Sequence, residues 1–227
     1  MNIAIVLSGG TGIRLGAEVP KQYIRVNGKT IISYCLDILE RCEEIDAIQI
    51  VADESWHDVI LENKLPKFKG FSKPGANRQL SIFSALEDMK EFASKNDVVI
   101  IHDAARPCVI EKMFFDLVHA CKEHDGAIPV LSMKDTVYMS EDGTCITSLL
   151  NRSQIFAGQA PEAFLFGKYY EANERLLPDN ILKINGSTEP AIMAGMDVAM
   201  IPGDERNFKI TTLQDLERFQ QLMGNKG

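Results

Sequence analysis

The chain has 227 residues and a formal net charge of -8 at pH 7, with 45% hydrophobic and 25% charged residues. This length and composition are typical of one globular domain with a full core. The acidic balance excludes a broad basic surface, so we expect no nucleic-acid partner. No apolar run is long enough to cross a bilayer, so we expect no membrane partner. Five cysteines without disulfide or zinc-site spacing indicate reduced thiols and a cytoplasmic location.

Short β-branched runs alternate along the chain with segments of helical periodicity. The pattern predicts strands at residues 2–7, 47–51, 98–101, 127–130, 198–201 and 208–211, and helices at residues 30–41, 78–94 and 111–123. Thr212, followed three residues later by Asp215, predicts a capping box at the start of a last helix. Such alternation predicts an α/β fold with a mostly parallel, twisted sheet flanked by helices. In such sheets, ligands bind beyond the carboxyl ends of the strands.

Residues 135–150 break the alternation. They contain two short strand-like runs on either side of the turn Glu141-Asp142-Gly143, which predicts a hairpin where a crossover helix would be expected. A hairpin that projects from a domain has little core of its own, so we expect it to pack against a second subunit. The chain is therefore interpreted as a single domain, residues 1–227, with a β-arm inserted at about 133–155.

The first candidate site is a glycine-rich segment directly after the first strand. It runs Ser8-Gly9-Gly10-Thr11-Gly12-Ile13-Arg14 and is followed by Pro20-Lys21-Gln22. Backbone N–H groups of such a turn can cradle phosphates, and Arg14 and Lys21 can neutralise a triphosphate. The segment lacks the Gly-Lys-Ser/Thr of a Walker A loop and the third glycine of a dinucleotide fingerprint. A plain strand–helix turn with solvated basic residues is the alternative.

The second candidate site follows the buried run at residues 98–101, where the chain reads His102-Asp103-Ala104-Ala105-Arg106-Pro107. Asp103 could hold Mg²⁺ against phosphate oxygens, because Mg²⁺ prefers one or two carboxylates plus substrate oxygens. Ala104 leaves room for a sugar ring. Arg106 is either a phosphate ligand or a structural partner of a nearby acid. His102 is interpreted as a structural residue.

Lys209 lies in the short apolar run at residues 208–211. A lysine in such a run is unusual unless it meets an anion, although it could also extend to solvent. Thr136 and Arg152, inside and just past the hairpin, would in isolation be ordinary polar surface.

Together these residues resemble the 2-C-methyl-D-erythritol 4-phosphate cytidylyltransferase family and its close relatives, the ribitol-5-phosphate cytidylyltransferases. The resemblance runs nearly end to end. Its motifs are Gly10-x-Gly12-x-Arg14-x-Gly16, Pro20-Lys21-Gln22-Tyr23, Gly75-x-x-Arg78-x-x-Ser81, His102-Asp103-Ala104-Ala105-Arg106-Pro107, Lys134-Asp135-Thr136, Arg152 and Asn207-x-Lys209-x-Thr211. The resemblance implies a Rossmann-like nucleotidyltransferase fold whose β-arm forms a homodimer.

The resemblance also implies roles for single residues. The catalytic residues would be Arg14, Lys21 and Lys209. CTP would be bound by Ser8, Gly9, Gly10, Gly12, Gly75, Ser81, Asp103 and Ala104. Asp103 would lie near the Mg²⁺ or other divalent cation. The second substrate would be bound by Arg106, Thr136 and Arg152, the last two reaching across the dimer.

The implied reaction transfers CMP from CTP to a polyol phosphate and releases pyrophosphate. The expected acceptor is 2-C-methyl-D-erythritol 4-phosphate, used for isoprenoid precursors. Ribitol 5-phosphate, or another polyol phosphate for a surface polymer, is the alternative. Three departures from the family pattern bear on that choice. The chain has Ala160-Pro161-Glu162 for the usual Thr-Pro-Gln, Ser187-Thr188 for the usual Thr-Asp, and Ala76 where an acid is often found. The first two lie near the polyol-phosphate pocket in the family and leave the acceptor open.

Two other classes of protein compete with this interpretation. The first is a nucleotide-binding homologue without activity, against which the retention of Arg14, Lys21, Asp103 and Lys209 argues. The second is a Rossmann dehydrogenase. It is disfavoured because the third glycine and a convincing acid/base pair are missing.

Overall fold

The computed structural model describes residues 1–10 and 19–224. Its strands are β1 (Asn2–Leu7), β2 (Arg25–Val26), β3 (Lys29–Thr30), β4 (Ala47–Val51), β5 (Phe68–Ser72), β6 (Val98–Asp103), β7 (Gly126–Ser132), β8 (Tyr138–Met139), β9 (Ser148–Leu149), β10 (Phe156–Gly158), β11 (Glu162–Leu165) and β12 (Val198–Pro202). Its α-helices are α1 (Ile31–Arg41), α2 (His57–Leu61), α3 (Arg78–Met89), α4 (Glu111–Ala120), α5 (Phe166–Glu174), α6 (Glu189–Met193) and α7 (Leu213–Gly224).

One large sheet organises the molecule, in the strand order β10-β7-β11-β6-β1-β4-β5, with β12 beside β7. Strands β6, β1, β4 and β5 run parallel, as do β12 and β7. Strand β11 lies antiparallel between β6 and β7. The expected α/β fold with a mostly parallel sheet is confirmed, and β11 is the feature that alternation alone did not predict.

The sheet is covered on both faces by apolar helix surfaces. One cluster of buried side chains contains Leu36 and Leu39 of α1, together with Phe114 of α4. A second cluster on the other face contains Leu86 of α3 and Tyr169 of α5. Strands β1, β4 and β6 are buried along most of their length, which explains their nearly continuous apolar sequences. Among the described residues, no helix is long and apolar enough to span a bilayer.

The predicted hairpin is confirmed and is small. Strands β8 and β9 pair antiparallel, with Tyr138 opposite Leu149. The Asp142 carboxylate holds the turn by accepting the backbone N–H groups of Thr144 and Cys145, each at 2.8 Å. Apolar side chains on this β-arm stay in solvent, since Leu149 is 65% exposed. The arm therefore has no core of its own.

Two sequence predictions at element level were wrong. Residues 208–211 do not form a strand. Their backbone is held by loops instead, because the Ile210 N–H donates to the Ala105 carbonyl at 2.8 Å. Helix α3 ends at Met89 and not near Ser94, because the chain turns to enter β6 and the Ser94 N–H donates to Asp97.

The predicted capping box is present at the start of α7. The Asp215 N–H donates to Thr212 Oγ1 at 3.2 Å, and the Thr212 N–H donates to Asp215 Oδ2 at 2.8 Å. Helix α7 then packs Phe219 against Ile31 and Ile210. The C-terminal helix thus secures the segment that carries Lys209.

Candidate active site

A cleft of about 720 Å³ opens beyond the carboxyl ends of β1 and β6. Those two strands are parallel neighbours, with Leu7 opposite Asp103 at their last paired positions. The lining residues are Leu7, Gly9, Gly10, Lys21, Gln22, Gly75, Ala76, Asn77, Arg78, Ser81, Asp103, Ala105, Lys209 and Thr211. The position agrees with the rule that ligands of α/β sheets bind at this edge.

Asp103 is the centre of a cluster of charges at the cleft. Its Oδ2 lies 2.9 Å from Lys209 Nζ, and its Oδ1 lies 3.2 Å from Arg78 Nη2. Arg106 Nε lies 3.7 Å from Oδ2. Burial on its own would raise the pKa of Asp103, but the charges of Arg78, Lys209 and Arg106 outweigh it and hold that pKa well below its usual range. Asp103 is therefore a carboxylate, and it fixes two cations at the cleft wall.

Beneath this cluster lies a second buried acid, Glu162 at the start of β11. Its Oε2 accepts hydrogen bonds from Ser187 Oγ at 2.6 Å and Thr188 Oγ1 at 2.7 Å. Burial raises the pKa of Glu162, although the nearby charge of Arg78 opposes the shift. Three of the residues that depart from the usual family pattern, Glu162, Ser187 and Thr188, thus form one hydrogen-bonded group.

The His102 side chain lies inside the fold and not in the cleft. The ring is fully buried and lies edge-on to Phe114, with the ring centroids 6.1 Å apart. Burial lowers the pKa of His102 to about 4, so the imidazole is neutral near pH 7. His102 does not line the cleft formed by the described residues.

Lys21 enters the cleft from a 3₁₀ turn, Lys21–Tyr23. Its ammonium donates to the Ile210 carbonyl at 2.7 Å, next to Lys209 in the chain. Lys21 and Lys209 are therefore brought to the same cleft from opposite ends of the sequence. Two lysines at one wall form a site for an anion such as a phosphate.

At two positions of the cleft, neighbouring atoms lie so close to the backbone that only glycine fits. A Cβ atom at Gly9 would lie 2.6 Å from Pro74 Cβ, and one at Gly75 would lie 2.4 Å from Leu80 Cβ. Ser81 Oγ accepts the Gly75 N–H at 2.9 Å and holds that turn against the start of α3. The sequence therefore places bare backbone along the part of the cleft where a ligand would lie.

The predicted site residues fall into three groups. The cleft is lined by Gly9, Gly10, Lys21, Gly75, Ser81, Asp103 and Lys209. Gly12 and Arg14 lie outside the described residues. Among the described residues, the cleft-lining set does not include Ser8, Ala104, Arg106, Thr136 or Arg152.

The buried members of the last group support the cleft from behind. Ser8 Oγ donates to the Tyr23 hydroxyl at 2.8 Å. Ala104 is fully buried, and its neighbour Ala105 lines the cleft instead. The Arg106 guanidinium donates to the Asn207 carbonyl at 2.6 Å, which fixes the segment before Lys209. Of the two roles considered for Arg106, the structural one matches this geometry.

Thr136 and Arg152 belong to the exposed arm region. Arg152 donates to the Lys134 carbonyl of its own chain at 2.8 Å and is exposed. Thr136 is exposed as well. Neither residue joins the cleft within one chain, although both were predicted to bind substrate.

A divalent cation fits this cleft only with the help of substrate oxygens. Asp103 is the one acidic residue among the described cleft-lining side chains. No group of three or more His, Cys, Asp or Glu side chains suited to a metal occurs in the described ranges. A single carboxylate combined with phosphate oxygens is the donor set typical of Mg²⁺.

Sequence reasoning gave no role to two cleft residues. Arg78 was noted in a motif, but its pairing with Asp103 was not predicted. Gln22 was noted beside Lys21, and the structure shows its amide bonded to the glycine segment. The sequence signal for these two residues was their place in the family motifs. Gln22 directly follows Lys21, and Arg78 lies three residues before Ser81.

The fold and the site together define a nucleotidyltransferase of the α/β class. The family model of IspD, 2-C-methyl-D-erythritol 4-phosphate cytidylyltransferase, matches residues 2–225. The chain belongs to this family and is a cytidylyltransferase that acts on a polyol phosphate.

Curated relatives carry two different names. The ribitol-5-phosphate cytidylyltransferase of Lacticaseibacillus paracasei is 29% identical, over 100% of this chain and 99% of its own length. The 2-C-methyl-D-erythritol 4-phosphate cytidylyltransferase of Geobacter metallireducens is 34% identical, over 94% of this chain and 93% of its own.

A solved structure agrees with the fold. The 4-diphosphocytidyl-2C-methyl-D-erythritol synthase of Anaerococcus prevotii superposes with a TM-score of 0.84 at 25% identity, covering 99% of this chain and 96% of its own.

Proposed function

We propose that the chain transfers CMP from CTP to 2-C-methyl-D-erythritol 4-phosphate and releases pyrophosphate. The observation that carries the proposal is the cleft itself, where Lys21 and Lys209 face glycine backbone around the buried Asp103. The family match and the Geobacter relative support this acceptor.

In the proposed reaction, a phosphate oxygen of the polyol phosphate attacks the α-phosphorus of CTP in line. A new P–O bond forms as the bond to the bridging β-phosphate oxygen breaks, and pyrophosphate leaves with that electron pair. No strong base is needed, because a phosphate monoester is already anionic near neutral pH. The protein's contribution is positioning and charge neutralisation by Arg14, Lys21 and Lys209. A bound Mg²⁺, held by Asp103 and phosphate oxygens, would supply further neutralisation.

We propose further that the active unit is a cytoplasmic homodimer in which each arm completes the site of the partner. Thr136 and Arg152 lie outside the cleft of their own chain. The arm exposes Tyr138, Ile146 and Leu149, each more than half accessible to solvent. Burying those side chains against a second copy would stabilise the arm.

Ribitol 5-phosphate is the second candidate acceptor. A relative of that name spans the whole chain. The hydrogen-bonded group of Glu162, Ser187 and Thr188 also replaces the usual family residues at three positions. Such a change is the kind that alters which hydroxyl groups an acceptor pocket accepts.

Steady-state release of pyrophosphate from CTP tests the proposal. The assay compares 2-C-methyl-D-erythritol 4-phosphate with ribitol 5-phosphate, with glycerol 3-phosphate as a smaller control. The expected result is the highest kcat/KM with 2-C-methyl-D-erythritol 4-phosphate. A preference for ribitol 5-phosphate would move the assignment to the second candidate. An absence of pyrophosphate with every acceptor would overturn both.

A further inference from the structure

The glycine segment is held from behind by the buried Gln22 amide, which shares the Ser8 carbonyl with the Tyr23 hydroxyl, a donor at 3.1 Å. Gln22, only 3% exposed, donates from Nε2 to the Ser8 carbonyl at 2.7 Å and to the Gly10 carbonyl at 2.7 Å. An amide nitrogen has two hydrogens, so both donors are used on this short segment. Gln22 therefore spans Gly9, which lines the cleft.

This contact fixes the direction of a backbone donor at the cleft. A trans peptide unit is planar and points its C=O and N–H groups in opposite directions. The Ser8 carbonyl is turned toward Gln22, so the Gly9 N–H of the same peptide unit is turned the other way. Gln22 thereby sets the orientation of the backbone that a ligand would meet.

The same short turn also carries the catalytic cation. Lys21 precedes Gln22 and donates to the Ile210 carbonyl, while Tyr23 follows and its hydroxyl lies 2.8 Å from Ser8 Oγ. Tyr23 is in turn stacked on Trp56, with ring centroids 4.2 Å apart. These contacts anchor the turn in the core. They also fix the position of Lys21 relative to the glycine segment.

The same molecule contains a second buried glutamine that serves as a control for a purely structural role of Gln22. Gln49, on β4, is also 3% exposed, and its Nε2 donates to Ser72 Oγ at 2.8 Å. Gln49 does not line the cleft formed by the described residues. Removing either amide removes a buried hydrogen-bond donor, so both substitutions should lower stability. A weaker affinity for CTP after only one of them would distinguish a positioning residue from a purely structural one.

We propose that Gln22 is a positioning residue for the nucleotide, which orients the backbone of Ser8, Gly9 and Gly10 to bind acceptor atoms of CTP. The inference rests on the proposed function, because it requires CTP to lie in this cleft. Gln22 acts through the backbone and not on the reacting atoms.

The test is the dissociation constant of CTP, measured by titration calorimetry without acceptor, for wild type, Gln22→Met and Gln49→Met. Methionine keeps the length of glutamine and removes the donors. Without Gln22, CTP binding must itself orient the segment, and a cost equal to that of the two lost hydrogen bonds would raise the Kd for CTP about 30-fold in Gln22→Met. The KM of the polyol phosphate should stay within about twofold, because Thr136 and Arg152, which are proposed to bind the acceptor, lie outside this segment. Gln49→Met should lower Tm and leave the Kd unchanged.

Unchanged CTP binding by Gln22→Met would overturn the inference, as would equal weakening by Gln49→Met. If Gln22→Met does not fold, Gln22→Asn takes its place. It keeps an amide that is one methylene too short to reach both carbonyls, and wild-type CTP affinity there would also overturn the inference. Wild-type protein that fails to bind CTP is a different outcome, because it removes the proposed function itself.

Discussion

The cleft and the arm are built in opposite ways. At the cleft, Asp103 is buried and paired with Arg78 and Lys209, which come from distant parts of the chain. In the arm, Asp142 is exposed and bonds to groups two and three residues away, which are the Ser140 hydroxyl and the backbone N–H groups of Thr144 and Cys145. One acid depends on the whole fold for its partners, and the other would find them in an isolated turn.

This difference bears on the proposal that two chains share each site. The cleft holds its cations in place through buried contacts, so its charges are organised within one chain. The arm carries Thr136 and Arg152 without a core, so their placement must come from contacts beyond the arm. The following experiments test that division.

The largest expected effect is on stability, from Asp103→Asn. The change leaves Arg78, Arg106 and Lys209 without their buried counter-charge, so the free energy of unfolding should fall by about 3–5 kcal/mol. Urea denaturation measures it. Because the folded pKa of Asp103 lies below its unfolded value of about 3.9, its contribution is present above that pH and is lost as the pH falls. The variant should therefore have a flatter pH dependence below about pH 4.

Asp142→Asn is the matched control on the arm. Its side-chain oxygen can still accept the same two backbone N–H groups, and the position is solvated. The urea midpoint should stay close to that of wild type. Equal midpoints for Asp103→Asn and Asp142→Asn would show that the buried cluster does not stabilise the fold.

Lys21→Ala should have the next largest effect, on turnover. Loss of one preorganised cation should cost about 2–4 kcal/mol of transition-state stabilisation, or about 30- to 1,000-fold in kcat. Loss of the hydrogen bond to the Ile210 carbonyl should cost the fold about 1 kcal/mol. Lys29→Ala, which removes an exposed lysine paired with Asp37, should leave kcat unchanged. Near-wild-type turnover in folded Lys21→Ala would remove Lys21 from the reaction.

Mixing two inactive proteins should give a moderate effect. If Arg152 completes the partner's site, heterodimers of Arg152→Ala with Lys21→Ala contain one intact site. Random exchange makes about half of the dimers mixed, so activity should recover to about a quarter of wild type. If Arg152 acts within its own chain, every site lacks one residue. A mixture that stays inactive after confirmed subunit exchange would then contradict the shared site.

The smallest effect is expected from Leu149→Ser on the arm. Leu149 is 65% exposed, so the stability of the domain should change by no more than about 0.5 kcal/mol. The proposed dimer, measured by sedimentation, should weaken, because the arm would lose an apolar side chain that the proposal places in the interface. A large loss of stability in dilute protein would instead mean that the arm packs on its own domain.

The sequence was most informative where a signal is local. Strands β1, β4 and β6 were predicted because continuous β-branched runs are typical of buried parallel strands. The hairpin was predicted from its turn. Strand β11 was missed, because its place between β6 and β7 is decided by long-range pairing that no local pattern contains. Residues 208–211 have strand-like composition but lack a neighbouring strand, and composition cannot reveal that.

For the site, the motifs predicted which residues gather but not how they pair. Lys21, Asp103 and Lys209 were all expected, and all line the cleft. The pairing of Arg78 with Asp103 depends on how α3 is set against β6. The role of Gln22 depends on the direction of two carbonyl groups. Both depend on how the folded chain packs, and the types of residue in the sequence do not reveal them.

The contact between Lys209 and Asp103 also bears on the order in which the enzyme is made. Asp103 leaves the ribosome long before Lys209, and α7, which secures the Lys209 segment through Phe219, leaves after both. A nascent chain can form the sheet around β1, β4 and β6 and hold Asp103 beside Arg78 and Arg106 while the rest is synthesised. Chains that lack α7 would keep much of the sheet and lose the anchor of the Lys209 segment. The contact between Lys209 and Asp103 therefore depends on a helix that is synthesised after both residues.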